Sequence, residues 1–251
     1  MTGSPMSGPG WITPDWPAPA SVRALSTLRT GGVSGGNYAS FNLATHVGDE
    51  HDAVVRNREL LKHAANLPAE PIWLEQVHGN VVWQVSGPTS STPIADASVT
   101  RTKKQICTIL TADCLPVIFC DLKGTAVGAA HAGWRGLASG VLNETLRAMG
   151  SPVASVIAWM GPAIEQSAFE VGDEVREQFI ARTPHHANAF ASNDRGRWQA
   201  DIYALARREL ELLGLAGVYG GGFNVYADAE RFFSYRRDKQ TGRMATMVWI
   251  E

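Results

Sequence analysis

Three residues with metal-binding side chains lie where apolar, strand-like runs break into small residues: His78, Cys114 and His131. One thiolate and two imidazoles form a ligand set that zinc accepts while its fourth coordination position stays open, as in catalytic zinc sites. A structural zinc finger takes its ligands in close pairs, whereas these residues are far apart in the sequence. The pattern therefore predicts an enzyme whose metal site is assembled by tertiary structure.

The same residues allow two other interpretations. Free cysteine is among the most buried residue types, so Cys114 could be a core residue. Cys114 could instead be a nucleophile with His131 as its base, as in a cysteine hydrolase. Cys107 and Cys120 lie inside apolar runs and are predicted to be core residues. The remaining histidines are assigned no role, and all but the first are expected at the surface: His46, His51, His63, His185 and His186.

Two arginines are candidates for binding an anionic group. Arg29 precedes the glycine-rich segment that follows the first strand, and Arg135 begins the segment after His131. A guanidinium group near helix-end N–H groups suits a phosphate or a carboxylate, although a structural salt bridge is the competing interpretation. Asp113 and Glu75 are the nearest carboxylates that could move protons, but strict strand alternation would place Glu75 opposite His78.

The elements that must position these residues alternate between strand-like and helical patterns. Helices are predicted at about 50–65, 134–149, 172–181 and 202–213, with Asp201 as the N-cap of the last. A hairpin is predicted near the C-terminus, with arms at 231–236 and 244–250. Strand-like runs are predicted at 22–28, 72–77, 81–85, 97–100, 106–110, 117–120, 125–130 and 156–160. Close spacing between 70 and 130 demands antiparallel pairs, so the prediction is a layered α/β domain with a mixed sheet.

Composition narrows the class of protein. The chain has 251 residues, 45% of them hydrophobic, and 22 Lys and Arg against 24 Asp and Glu. A net charge of −2 without a basic block argues against a nucleic-acid partner. No apolar stretch is long enough to span a membrane, no signal peptide is visible, and the three cysteines fit a reducing compartment, so a cytoplasmic protein without a membrane partner is expected. Residues 1–10 are predicted to be a flexible leader, and residues 11–251 a single catalytic domain.

Several motifs, in order along the chain, are similar to those of the YfiH-like proteins, also called the laccase-domain or multicopper polyphenol oxidase family. They are Thr30-Gly31-Gly32-Val33-Ser34, Phe41-Asn42-Leu43, Gly48-Asp49, Leu74-Glu75-Gln76-Val77-His78-Gly79, Ala95-Asp96-Ala97, Thr111-Ala112-Asp113-Cys114-Leu115-Pro116-Val117, Ala130-His131-Ala132-Gly133-Trp134-Arg135-Gly136, Gly161-Pro162 and Phe232-Phe233-Ser234-Tyr235-Arg236-Arg237. One departure is Asn224, in a segment where relatives usually have a Cys-Thr pair.

The resemblance implies a single-domain, four-layer α/β sandwich with mixed β-sheets covered by helices. It implies that His78, Cys114 and His131 are catalytic and bind zinc. Copper could occupy the same site, because it binds nitrogen and sulfur ligands more tightly than zinc does. Residues in or beside the shared motifs are predicted to bind substrate: Arg29, Asn42, Gln76 and Arg135.

The implied activity is phosphorolysis of purine nucleosides (adenosine, inosine and methylthioadenosine), together with adenosine deamination. A nucleoside and phosphate are then the expected partners, while the oligomeric state is left open. The alternatives are an amidase that removes serine-containing peptidoglycan precursors, or a cysteine hydrolase using Cys114 and His131. Copper polyphenol oxidation is disfavoured because seven scattered histidines cannot supply several copper centres.

Overall fold

Two β-sheets form the centre of the fold in this computed structural model, which describes residues 8–89 and 91–251. The strands are β1 (Trp11–Ile12), β2 (Val22–Thr27), β3 (Val82–Gln84), β4 (Ala97–Thr100), β5 (Ile106–Thr111), β6 (Leu115–Asp121), β7 (Val127–Ala132), β8 (Val156–Met160), β9 (Glu170–Val171), β10 (Phe190–Ser192), β11 (Trp198–Ala200), β12 (Gly217–Gly220) and β13 (Met244–Ile250). A four-stranded sheet has the order β1-β2-β13-β5, and a six-stranded sheet has the order β12-β8-β6-β7-β4-β3. A small third sheet has the order β10-β11-β9.

Helices cover the outer faces of the two large sheets. They are α1 (His51–Ala64), α2 (Trp134–Ala138), α3 (Val141–Met149), α4 (Asp173–Arg182), α5 (Ile202–Leu213) and α6 (Tyr235–Asp238). Their ends follow local signals in the sequence. The side chain of Asp201 accepts a hydrogen bond from the Ala204 amide at the start of α5, as predicted. Gly150 and Gly214 end α3 and α5 in the left-handed conformation that glycine adopts without strain.

Alternation along the strands produces the layers. On β6, Ile118 and Cys120 pack against the four-stranded sheet, whereas Val117 and Phe119 belong to the core beneath α3 and α5. Leu61 of α1 belongs to a third core on the far side of the four-stranded sheet. The order of layers is therefore α1, the four-stranded sheet, the six-stranded sheet, and α3 with α5. The predicted mixed α/β single-domain fold is confirmed.

Strand directions confirm that the large sheet is mixed. Strands β6, β7 and β4 pair antiparallel, whereas β12 pairs with β8 and β3 pairs with β4 in parallel. The tight connection from β6 to β7 depends on Asp121, whose carboxylate accepts hydrogen bonds from the Thr125 amide at 2.7 Å and hydroxyl at 2.6 Å. This hairpin brings the start of β6 beside the end of β7.

Three predicted elements differ in the structure. Residues 72–77 make only isolated bridges, at Ile72 and Glu75, and do not form a strand. The predicted helix over 134–149 is divided into α2 and α3 at Gly140, whose φ of +88° a helix cannot contain. The predicted C-terminal hairpin is wrong: residues 235–238 form α6, and both edges of β13 already pair with β2 and β5.

The start of the described chain packs against the domain. The carbonyl of Gly10 accepts a hydrogen bond from the Leu28 amide at 2.8 Å, and the backbone of Gly8 lies against Gly31. Residues 1–7 of the predicted leader lie outside the described residues, so that prediction stays a prediction. Among the described residues, no helix is both long enough and apolar enough to cross a membrane.

Candidate metal centre

The ends of three neighbouring segments position the candidate ligands. Cys114 lies between β5 and β6, directly after Asp113, whose φ is +90°. His131 belongs to β7, where it pairs with Pro116 of β6, so the two ligands lie at one end of the hairpin. His78 lies in a turn outside the named strands and has a φ of +62°.

The three side chains converge on one point. Their ligand atoms all lie within 4.8 Å of one another, and Cys114 Sγ is 3.9 Å from His78 Nε2. The imidazole rings of His78 and His131 meet edge to face, with their centroids 4.8 Å apart. His131 is buried, Cys114 is half-buried and His78 is exposed, so the cluster is open to a ligand from one side.

Asp96 orients two of these residues from behind. It is fully buried, and its Oδ1 accepts hydrogen bonds from His131 Nδ1 at 2.8 Å and from the His78 amide at 2.9 Å. Its Oδ2 accepts from the amides of Val77 and Gly79. With Nδ1 of His131 bonded to a carboxylate, Nε2 is left for the cluster, an arrangement typical of metal-binding histidines.

Electrostatics within the cluster favour a thiolate. Burial alone would raise the pKa of Cys114, but the nearby His131 and His78 lower it to about 6. Burial likewise opposes the charge on His131, yet Cys114 and Asp96 raise its pKa to about 9. Burial also opposes the Asp96 carboxylate, but hydrogen bonds from His131, Gly79 and Val77 hold its pKa below the usual value. The cluster therefore stabilises a deprotonated sulfur, as a metal ligand requires.

Gly133 provides an independent test of whether an ion fits. A β-carbon at this position would lie 3.0 Å from Cys114 Sγ, 3.2 Å from His78 Cδ2 and 3.5 Å from His131 Nε2. Any residue can adopt the φ of −60° found at Gly133, so the backbone conformation does not require glycine. Glycine is favoured here because a side chain would crowd the cluster. The gap left by the absent side chain is bordered by the three donor groups, and the donor set fits a tetrahedral ion such as zinc.

The cluster forms part of the wall of a cavity of about 460 Å³. This volume falls within the usual range for small-molecule sites, roughly 300–1,000 Å³. The lining residues are His46, Gln76, His78, Leu110, Thr111, Ala112, Asp113, Cys114, His131, Trp134, Arg135, Ile164, Phe169, Ile202, Tyr235, Arg236 and Arg243. A small molecule in the cavity could therefore reach the three candidate ligands.

Two of the four residues predicted to bind substrate line this cavity. Arg135 is exposed at the start of α2, with its guanidinium 4.4 Å from the ring centroid of Trp134. Gln76 also lines the cavity, but its side-chain amide donates to the Leu110 carbonyl at 2.9 Å and accepts from the Leu110 amide at 2.8 Å. Gln76 therefore fixes the end of β5, which leads to Cys114.

The structure does not bring the other two residues to the cavity. The guanidinium of Arg29 donates to the carbonyls of Ala39 and Ala229. Asn42 is fully buried, donates to Asp49, and accepts a hydrogen bond from the backbone amide of Arg243. Both side chains bond within the protein and hold loops in place, and neither lines the cavity, so their contact with substrate stays a prediction.

The two carboxylates considered for proton transfer differ in position. Asp113 lines the cavity, and its oxygens accept hydrogen bonds from the Ser234 hydroxyl and the Arg236 amide, both at 2.6 Å. Burial raises the pKa of Asp113 despite these contacts. Glu75 is exposed and does not line the cavity, although residues 72–77 do not form the strand from which this placement was predicted.

Sequence reasoning gave no functional role to Asp96, which lies behind the cluster, or to His46 and Arg243, which line the cavity. Asp96 belongs to the motif Ala95-Asp96-Ala97, directly before β4. A carboxylate at the start of an apolar strand was the sequence signal that could have identified it as a functional residue. Arg243 stood beside the turn of the hairpin that was wrongly predicted, where nothing distinguished it from a surface arginine.

The remaining cysteines and histidines are placed clearly. Cys107 and Cys120 are fully buried, which confirms the prediction that they are core residues. His51, His63 and His185 are exposed, as expected. His186 is buried, contrary to expectation, because its ring packs on Phe179 and its Nε2 lies 3.1 Å from Glu209 Oε1.

Comparison with known proteins gives consistent results along nearly the whole chain. A family model described as multi-copper polyphenol oxidoreductase laccase matches residues 23–251. An Escherichia coli protein named purine nucleoside phosphorylase YfiH is 49% identical, over 95% of this chain and 98% of that protein. A Pseudomonas aeruginosa protein, also named a purine nucleoside phosphorylase, is 50% identical, over 96% of this chain and 98% of that protein.

Solved structures share the fold. The crystal structure of a Neisseria meningitidis protein of family DUF152 has a TM-score of 0.93 and 51% identity, and the match covers 96% of this chain and 99% of that one. The crystal structure of YlmD from Geobacillus stearothermophilus has a TM-score of 0.90 at 28% identity, over 96% of each chain.

Proposed function

Because this chain belongs to the family described as multi-copper polyphenol oxidoreductase laccase, and resembles relatives named purine nucleoside phosphorylase over nearly its whole length, we propose that it is a zinc-dependent purine nucleoside phosphorylase. Adenosine, inosine and methylthioadenosine are the proposed substrates, with adenosine deamination as a second reaction. A cytoplasmic location is part of the proposal, supported by three free cysteines.

The convergence of His78, Cys114 and His131 on one wall of the cavity is the observation that carries the proposal. Zinc bound by these residues would supply a Lewis acid and acidify a bound water. Asp96 would hold His131 in the tautomer that directs Nε2 to the ion. Copper could enter the same site, since it binds nitrogen and sulfur ligands more tightly than zinc does.

The rest of the cavity suits a nucleoside. Its wall combines apolar side chains, such as Phe169 and Ile202, with a few polar groups, which is the usual composition of a site for a partly aromatic ligand. Phosphorolysis transfers the ribose anomeric carbon from the purine nitrogen to a phosphate oxygen, so the leaving purine must be stabilised or protonated. Asp113 is a carboxyl group in the cavity wall beside Cys114, and we propose it as the group that exchanges a proton with the purine.

The experiment is a turnover assay with adenosine and the zinc-loaded protein, with and without phosphate, resolving adenine, inosine and hypoxanthine. We expect adenine release that requires phosphate and is lost in Cys114→Ala. Cys120→Ala is the matched control, because it deletes a thiol from the buried part of β6, the strand that Cys114 precedes. Absence of purine products from the wild-type protein under both conditions would refute the proposal.

One observation favours a second candidate, a cysteine amidase. Cys114, His131 and Asp96 form a nucleophile, a base and an orienting carboxylate, with His131 Nδ1 2.8 Å from Asp96. Such an enzyme could cleave the amide of a serine-containing peptidoglycan precursor through an acyl-enzyme. It would retain activity after chelation, whereas the zinc-dependent enzyme would lose it.

Multicopper oxidation has less support. Such an oxidase needs several copper centres. Within residues 8–89 and 91–251, one group of His, Cys, Asp or Glu side chains is arranged to hold a metal. A single copper ion in this group would be a substitute for zinc.

A further inference from the structure

Arg243 is a cavity arginine with an unusual set of contacts. It is half-buried, and among the described residues no carboxylate lies within ion-pair distance of its guanidinium. Burial lowers its pKa, while the nearby Cys114 and Asp113 oppose that effect. The guanidinium is therefore partly removed from water without an anion in direct contact, and a bound anion would lower its desolvation cost.

Hydrogen bonds among the described residues involve only one of the three guanidinium nitrogens of Arg243. Nη1 of Arg243 donates to the carbonyls of Thr241 at 2.8 Å and Gly242 at 3.0 Å. In the part of the chain that the structure describes, Nε and Nη2 have no hydrogen-bond acceptor. The N–H groups of Nε and Nη2 point in the same direction from one edge of the planar guanidinium. This pair of donors, here called the fork, can bind two oxygens of one oxyanion.

The backbone around Arg243 is fixed. Its amide donates to Asn42 Oδ1 at 3.0 Å. A β-carbon on Gly242 would lie 2.7 Å from Phe233 and 2.9 Å from Asn42 Cβ, so this segment packs too closely for another residue. The fork is therefore presented to the cavity by a rigid support, which reduces the entropy cost of binding.

The other cavity arginines are less suited to this role. Arg236 donates through Nη1 and Nη2 to the carbonyls of Ala168 and Glu170. Arg135 is exposed, so water compensates its charge. Asp113, the carboxylate near Arg243, already accepts hydrogen bonds from Ser234 and Arg236.

We propose that Arg243 is the anion-binding residue of the cavity, and that its Nε and Nη2 bind a phosphate oxyanion. Under the proposed function, on which the identity of the ligand rests, this oxyanion is the inorganic phosphate that attacks the ribose. If the substrate is instead a phosphate ester, the same fork binds its phosphate group.

The test measures binding without turnover. Inorganic phosphate is titrated calorimetrically into the zinc-loaded protein in the absence of nucleoside, and a nucleoside diphosphate is titrated separately. We expect Arg243→Gln to weaken binding by about tenfold or more, since a hydrogen bond to a charged group contributes roughly 1.5–3 kcal/mol. Arg147→Gln is the matched control, because its side chain is 78% exposed and lies on α3.

Each outcome is decisive. Weaker phosphate binding in Arg243→Gln with normal binding in Arg147→Gln supports the proposal. Loss of binding only for the nucleoside diphosphate identifies an ester as the source of the phosphate group. Equal affinities in all three proteins, or binding of neither probe by the wild-type protein, would overturn it.

A second measurement covers the case in which Arg243→Gln does not fold. Phenylglyoxal modifies accessible arginines, and mass spectrometry locates the modified residues in the wild-type protein. Phosphate or the nucleoside diphosphate should slow modification of Arg243 severalfold and leave Arg147 unaffected; modification of Arg243 at the same rate with either probe contradicts the proposal. If adenine release fails while Arg243 still governs phosphate binding, the proposed function is wrong and the anion site remains.

Discussion

Cys114 differs chemically from the two other cysteines of the chain. Its imidazole neighbours bring its pKa to about 6, whereas burial raises the pKa of Cys107 and Cys120 to about 12. In chelated protein at pH 7, Cys114 is therefore mainly a thiolate and the other two are thiols. We expect iodoacetamide to alkylate Cys114 at least about tenfold faster than either core cysteine, because the thiolate is the reactive form.

Peptide mass spectrometry measures these rates between pH 5 and 8. The rate at Cys114 should rise through about pH 6 and then level off, because protonation below its pKa removes the thiolate. Zinc should protect Cys114 if the sulfur is a ligand. Fast alkylation that continues in zinc-saturated protein would instead favour the cysteine amidase.

Asp96 is the residue whose replacement should separate metal binding from contact with substrate. In Asp96→Asn, an NH2 group that cannot accept hydrogen bonds replaces one carboxylate oxygen. The protein therefore loses either the bonds from His131 and the His78 amide to Oδ1 or those from the Val77 and Gly79 amides to Oδ2. We expect zinc affinity to fall by about 10–100-fold. Competition with a chromophoric chelator gives the affinity, and Asp194→Asn, at an exposed position, is the control. Unchanged affinity would mean that Asp96 does not support a metal site.

At this scale, the sequence predicted residue types better than contacts. Side-chain chemistry identified His78, Cys114 and His131 as a set, and the structure brings them together. Arg29 and Arg243 are equivalent by residue type, and only tertiary contacts show that Arg29 is occupied by carbonyl groups while Arg243 faces the cavity.

Among the secondary-structure elements, the hairpin of β6 and β7 carries Cys114 and His131, and Asp121 stabilises its turn. Burial opposes the Asp121 carboxylate, but hydrogen bonds from Thr125 and Ser151 lower its pKa below the ordinary value of 3.8. A pKa depressed by folding adds stability above that value, and the contribution is lost as pH falls through the folded-state pKa.

We therefore expect Asp121→Asn to lower the free energy of unfolding by about 1–3 kcal/mol at pH 7. The difference from wild type should be constant between pH 7 and 5 and should shrink below about pH 4. Urea unfolding at several pH values measures it, with Asp194→Asn as the exposed control. A difference independent of pH down to 3 would show that the charge of Asp121 is not involved.

Elements with a strong local signal were predicted well, and the failures have physical causes. Apolar periodicity continues through 134–149, yet the left-handed Gly140 divides the helix. Residues 231–236 have a strand-like composition, but β13 has no free edge to pair with them, because β2 and β5 occupy both. Pairing partners distant in sequence are not encoded in a local pattern.

For the whole molecule, the candidate ligands connect a turn, the start of β6 and the end of β7. Since the unfolded chain does not hold them together, metal binding should stabilise the folded state. Zinc at about 100 times its dissociation constant contributes roughly 2.7 kcal/mol, which corresponds to a rise in Tm of about 5–10 °C for a chain of this size. Calorimetry with and without zinc measures the shift.

Cys114→Ala is the control for this prediction, and its Tm should not respond to zinc. A wild-type Tm that is insensitive to zinc would remove the basis for a metal site. The α/β class was predictable at this scale, because strands interspersed with helices indicate a layered domain and the close spacing between 70 and 130 demands antiparallel pairs in a mixed sheet; the four layers came from the family resemblance.

The position of β13 between β2 and β5 has a consequence for the synthesis of the protein. The four-stranded sheet needs a central strand that the ribosome makes last among its four members. Roughly 130 residues separate β5 from β13, and translation at about 5–20 residues per second takes on the order of 6–26 s to add them. During that interval β13 cannot yet pair with β2 and β5, so the strand edges that it covers in the folded protein stay open to non-native pairing until synthesis reaches the last strand.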